Sequence, residues 1–204
     1  MLTKAGSEIG VPKRKLSKNT LATTEGVNLI YQLCEVKARA KTIAYLMRST
    51  DSSFTPADIG RIYKDIHGES PSKGMMPVSP ERAIGSSEKR FHASYYGKKY
   101  KRLSELGLIG ARLHLATYQH YLLDFECTVD DALLSFDLGF KIIQSIQIGE
   151  LVYATCRDCR SHFLNVMGSP LSNHACPLCA IFKKRQRKVE KEVAESDSAL
   201  KKFK

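Results

Sequence analysis

Four of the six cysteines form two pairs, Cys156-Arg-Asp-Cys159 and Cys176-Pro-Leu-Cys179, separated by sixteen residues. Two C-x-x-C pairs at that separation are the spacing of a zinc site. The reason is reach. Two intervening residues let a tight turn aim both sulfurs at one ion, so each pair supplies half of a tetrahedron. Four thiolates leave no open coordination position, which predicts one structural Zn2+ held by Cys156, Cys159, Cys176 and Cys179 and no metal-bound water for catalysis. A disulfide framework needs an oxidising compartment, and the polar start of the chain reads as no export signal. A redox C-x-x-C stands alone after a strand in a βαβ setting, which this sequence lacks. His162 and His174 lie close by, but four cysteines already satisfy the ion. Cys34 and Cys127 sit in apolar helical stretches and read as small core residues.

The elements that must position the quartet are short. Leu151–Ala154 and His162–Met167 are β-like runs, and Gly168–Asn173 is a turn signal. A segment this small folds around its ion, which contributes roughly 10–16 kcal/mol of apparent folding free energy in such modules. Four residues after the last cysteine comes Lys183-Lys184-Arg185-Gln186-Arg187-Lys188. Of a net charge of +11, residues 1–20 hold +4, residues 180–204 hold +5, and the stretch between them is nearly neutral. Clustered positive charge attracts polyanions and releases their counterions. Lys183, Lys184, Arg185, Arg187 and Lys188 are therefore the expected phosphate contacts, with Arg157 and Arg160 on the first cysteine knuckle as candidates for base edges. The alternative reading of these ends is plain solvated tail.

The body before the cysteines reads as all-α. Val27, Ile30, Tyr31, Cys34, Ala38, Ile43, Leu46 and Met47 follow helical spacing. Thr55-Pro56-Ala-Asp58 starts a second helix and Gly68 ends it. A Gly- and Pro-rich loop follows to Pro80, and a third helix is expected from there to Leu106. Within it Lys89–Arg102 interleaves six basic residues with four aromatics. That pattern can stack on bases, although the common spacing of Phe91, Tyr95 and Leu103 favours a core-facing stripe. Arg112–Phe125 reads as a fourth helix. A fifth is expected from a cap at Thr128, with Asp130 and Asp131 in its first turn, to Gly149.

Enzymatic chemistry is not visible. There is no phosphate-binding G-x-x-x-x-G-K-[ST], no G-x-S-x-G, no H-E-x-x-H and no dinucleotide fingerprint. The histidines are scattered singly, and no apolar run approaches the ~18 residues of a membrane span. The chain reads as a cytoplasmic binding protein.

The segment Ile62-Tyr-Lys-Asp-Ile-His-Gly68-Glu-Ser-Pro71-Ser-Lys73-Gly74-Met75-Met-Pro77, a later His92-Ala93-Ser94 and the C-terminal quartet occur in the same order as in the FlhC family of transcriptional activators, which the chain resembles over roughly residues 25–182. The resemblance implies a DNA-binding activator without enzymatic activity. It implies a hetero-oligomer with the small helical protein FlhD, four FlhD to two FlhC, recruiting bacterial RNA polymerase to flagellar promoters. It also implies zinc at the four cysteines named above. The chain departs from flagellar members at Arg160-Ser161, where they usually carry two glycines, and in lacking Trp. Relatives on mobile elements activate conjugation genes, so the resemblance leaves flagellar and conjugative-transfer promoters both open.

The expected organisation is mainly α, with a helical body and a small zinc-ribbon-like module. Residues 1–22 are a flexible basic leader, 23–150 a helical partner-binding and oligomerisation domain, 151–182 the four-cysteine module and 183–204 a basic tail. The competing function is a zinc-ribbon RNA-binding or ribosome-associated protein. A nuclease or modifying enzyme with a structural zinc is a third, lacking a recognisable acidic site or nucleophile.

Overall fold

A computed structural model of the chain describes residues 24–48, 54–72, 79–168 and 176–201. The expected leader, most of the Gly168–Asn173 turn, His174 and part of the Gly- and Pro-rich loop lie outside the described residues. The elements run α1 (Thr24–Glu35), α2 (Ala40–Met47), α3 (Pro56–His67), α4 (Pro80–Ala83), α5 (Ser87–Glu105), α6 (Gly110–Asp124), α7 (Phe136–Gln147), β1 (Leu151–Thr155), β2 (His162–Val166) and α8 (Pro177–Lys201). The fold is mainly α with one two-stranded sheet. Among the described residues no helix is long and apolar enough to cross a membrane.

The helices form where capping chemistry and apolar spacing agree. Thr55 accepts from the Asp58 amide at 3.2 Å while Asp58 accepts in return from the Thr55 amide, Pro56 fills the first position, and Gly68 closes α3 in the left-handed region. Ile59 and Tyr63 bury the inner face of α3 against α1 and α2.

Three expected helices are broken differently. The first stripe divides at Lys37, a non-glycine residue with φ of +56° whose amide donates to the Cys34 carbonyl at 2.8 Å. The Lys37 ammonium reaches Asp130, a contact that helps hold this unusual backbone. The third divides at Gly85, and Ser86 caps α5 by accepting from the Lys89 amide. The fifth begins at Phe136, not at Thr128. Thr128 and Asp131 do bond as a cap, but they close a single turn. The Leu134 amide then donates to the Tyr121 hydroxyl at 3.3 Å instead of to a helical carbonyl, and Ser135 caps α7.

α5 is the central pillar, packing on α6, α7, β2 and α8. Tyr96 is fully buried on it, and an added Cβ on Gly139 of α7 would stand 2.6 Å from the Tyr96 ring, so glycine lets the two helices close. The other aromatics of the basic–aromatic stretch also pack inward: Phe91 and Tyr95 lie edge-on against Phe125, and Tyr100 tilts against His114. That stretch forms core and not a stacking platform. Cys34 is buried in the core and Cys127 packs against it.

His114 carries a pH dependence. Its Nδ1 is buried without a hydrogen-bond partner, and burial pulls its pKa down to about 4. Between pH 6.5 and 4 the unfolded chain binds a proton that the folded state refuses, so stability is intact above this window and is lost as pH falls through it. Urea midpoints should drop from pH 7 to pH 5, by a contribution on the order of 1 kcal/mol per pH unit from this group. His114→Gln should reduce that drop. An equal drop in the variant would place the titrating group elsewhere.

Candidate metal centre

β1 and β2 pair antiparallel from Leu151 opposite Val166 to Thr155 opposite His162, and the hairpin between them is the first cysteine knuckle. Its turn is pinned by the Cys156 amide on the Ser161 carbonyl at 2.9 Å and by the Arg160 amide on the Cys156 carbonyl at 3.0 Å. Arg160 takes a φ of +57° to make that turn, the left-handed backbone that glycine adopts more readily. The second pair sits at the head of α8. Cys176 precedes Pro177, the first helical residue, and its carbonyl accepts from the Ala180 amide at 3.0 Å. Proline loses nothing there, since its missing N–H would have had no helical partner.

The two halves meet. All four sulfurs lie within 4.8 Å of one another, with Cys156 Sγ 3.8 Å from Cys179 Sγ and Cys159 Sγ 3.6 Å from Cys176 Sγ. A tetrahedron of sulfurs about 2.3 Å from a central ion has edges of roughly 3.8 Å. These separations are far longer than a disulfide, and all four cysteines are free. The donor set therefore fits a metal ion.

The electrostatics point the same way. The Ser161 hydroxyl and then its amide bond to the Cys159 sulfur, the hydroxyl at 3.1 Å, and pull that thiol's pKa down to about 6. The Cys179 thiol, bonded first to Cys159 and desolvated, is pushed up to about 12. Four crowded sulfurs cannot all ionise together unless a cation neutralises them. Ser161, two residues beyond the knuckle, was not singled out from the sequence. A hydroxyl so close after a cysteine pair is the signal that could have found it.

Ser94 on α5 is the other residue that sequence reasoning passed over as a role. Its hydroxyl accepts from the Leu164 amide of β2 at 2.8 Å, and its carbonyl accepts from the Tyr153 hydroxyl of β1 at 3.3 Å. One serine thus bonds both strands to the helical body. Leu151 and Leu164 complete the seam by entering the main core, while Phe163 packs with Cys156 and Cys176. The neighbouring His92 stacks on Phe125 and meets the Tyr121 hydroxyl at 2.8 Å, and Ala93 is fully buried. The His92-Ala93-Ser94 triplet is thus a packing and docking element.

The expected nucleic-acid contacts are all exposed, Arg157 and Arg160 on the knuckle and Lys183, Lys184, Arg185, Arg187 and Lys188 along α8. Those five lie on one helix that starts inside the metal centre, so the quartet and the cations are continuous in structure. Lys184 reaches Glu88 at 3.3 Å and Lys188 reaches Glu192 at 3.7 Å. His162 is exposed and bonds Thr155, apart from the four sulfurs.

Comparison with known proteins agrees with this arrangement. The family model described as the flagellar transcriptional activator FlhC matches residues 16–192. Flagellar transcriptional regulator FlhC of Cupriavidus necator is 28% identical over 179 residues, covering 86% of this chain and 85% of that protein. The proteins of the same name from Proteus mirabilis, 23% identical over 79% of this chain and 82% of theirs, and from Xenorhabdus nematophila, 23% identical over 91% and 95%, align over similar extents. A match that spans the helical body, the sulfur quartet and most of α8 places this chain in the FlhC family of flagellar transcriptional activators.

Proposed function

We propose that this chain is the DNA-binding subunit of a cytoplasmic transcription activator, working in a hetero-oligomer with an FlhD-like helical protein and recruiting RNA polymerase to its promoters. The observation that carries the reading is the continuity just described: a four-sulfur site at the head of a helix whose next two turns hold five exposed cations. One structural Zn2+ at Cys156, Cys159, Cys176 and Cys179 supplies positive charge that keeps four thiolates together. The chain's own residues do the rest. Ser161 steadies a thiolate, Ser94 fixes the hairpin to α5, and α8 leaves the centre in a set direction. Lys183, Lys184, Arg185, Arg187 and Lys188 then contact backbone phosphates, and Arg157 and Arg160 reach toward base edges. A stoichiometry of four FlhD-like subunits to two of this chain follows from the family resemblance. Flagellar promoters are the first targets, and conjugative-transfer promoters are those of a paralogue.

The test is co-expression with the product of the adjacent reading frame, mass measurement of the complex, and competition between promoter-length duplex and RNA of equal length. A hetero-oligomer that prefers duplex supports the proposal. Preference for RNA would move the chain to the zinc-ribbon RNA-binding reading.

A further inference from the structure

Beyond Ile181, α8 leaves the body, and every residue from Phe182 to Val193 is exposed. At 1.5 Å per residue, residues 182–201 run for roughly 30 Å. A helix of this length standing alone in water is only marginally stable, because most helical stability in proteins comes from covering an apolar face. α8 has such a face. Phe182 is 60% exposed, Val189 58% and Val193 53%. At 100° per residue these three positions fall within about 40° of one another, a narrow stripe of the kind that packs against a second helix.

The charge along α8 says which second helix. Residues 183–188 hold five cations and no acid, whereas 189–197 hold Glu190, Glu192, Glu195 and Asp197 against Lys191 alone. Two copies laid parallel would set cations against cations along the first half. Two copies laid antiparallel set each basic half against the other's acidic half. The alignment that seats Phe182 on Val193 of a second copy brings Val189 close to its own counterpart across the two-fold axis. Arg185 then lies beside Glu192 of the second copy, and Lys183 beside its Glu190. The seam and its flanking charges agree on one register, which is isologous and therefore closed.

We infer that α8 is a self-association surface, pairing antiparallel with α8 of a second copy of this chain through Phe182, Val189 and Val193. The inference uses neither the metal nor a duplex, so it stands or falls apart from the proposed function. The pairing leaves Lys184, Arg187 and Lys188 away from the seam, where they stay open to polyanions.

Sedimentation equilibrium on the full chain tests it. A monomer–dimer equilibrium in the micromolar range is expected, loosening several-fold as salt rises, because the flanking pairs attract. Val189→Asp with Val193→Asp should loosen the dimer by about tenfold or more, with the near-ultraviolet signal of the buried tyrosines unchanged to show an intact body. Arg185→Glu alone and Glu192→Arg alone should each weaken self-association, and mixing the two proteins should restore a heterodimer. A wild-type chain that stays monomeric at about 200 µM overturns the inference. So does a dimer indifferent to the two aspartates, one that tightens with salt, or a mixture of charge variants that pairs no better than either alone.

Discussion

Cys176→Ser abolishes metal binding and unfolds the hairpin, and this is the largest single-residue effect expected in the chain. Cys176 does three things at once. Its sulfur stands 3.6 Å from Cys159 Sγ and accepts the Ser161 hydroxyl at 3.3 Å. Its side chain is buried with Cys156 and Phe163 in the small cluster under the site, and its carbonyl opens α8. Serine keeps the last role and loses the others, because a hydroxyl is not deprotonated at neutral pH and cannot serve as a thiolate ligand. The apparent folding contribution of the ion, roughly 10–16 kcal/mol in modules of this type, then disappears from a segment with almost no apolar core of its own. Metal per chain should fall from one to near zero. Limited proteolysis should open between Leu151 and Val166, and α8 should lose its fixed origin. Ser161→Ala should be a milder version, lowering metal affinity about tenfold by removing the hydroxyl that holds the Cys159 sulfur. Cys127→Ala, far from the quartet, should leave the metal in place. Full metal content in the Cys176 variant would refute the four-sulfur centre.

The damage should not stop at the hairpin. Leu151 and Leu164 belong to the main core, and Ser94 bonds both strands. Losing the ion therefore uncovers one side of α5, the helix against which α6 and α7 also pack. The metal centre and the body are coupled through that pillar, and chelation should lower the unfolding midpoint of the body as well as open the ribbon.

The sequence shows this site well because its constraints are local. Two residues between cysteines and sixteen between pairs are fixed by how a chain reaches one ion, and Thr55, Asp58 and Gly68 mark α3 because caps act on adjacent backbone. Where the reading fails, the deciding partner is distant in sequence. Lys37 holds a left-handed backbone beside Asp130, and Leu134 gives its amide to Tyr121, so two apolar stripes that look continuous are interrupted by side chains from other helices. Ser94 reads as an ordinary helix serine until β2 is laid across it. The C-terminal charge run suggested a solvated tail. It is helical because the cap at Cys176-Pro177 starts a helix that nothing in residues 180–201 stops, there being no glycine or proline among them.

Replacing Lys183, Lys184, Arg185, Arg187 and Lys188 together with glutamine should remove most of the duplex affinity and flatten its salt dependence. Each neutralised phosphate contributes about 0.9 to the slope of log affinity against log salt on double-stranded DNA, so five contacts account for a change of roughly 4 to 5. The shares are unequal. Lys184 already faces Glu88 and Lys188 faces Glu192, and each must leave its carboxylate to reach a phosphate. Lys183, Arg185 and Arg187 should therefore carry the larger part, and a variant altering those three should show well over half of the change. At physiological salt the five-fold variant should bind on the order of a hundredfold more weakly. Glutamine keeps helix propensity, and all five positions are exposed, so metal content and the tyrosine signal should stay at wild-type values. Arg157→Gln and Arg160→Gln should act differently. Base contacts specify sequence, so these two should reduce the preference for promoter over random duplex while leaving the salt slope nearly unchanged. An unaltered slope in the five-fold variant would move the phosphate contacts onto the helical body or the partner, and α8 would then serve association alone.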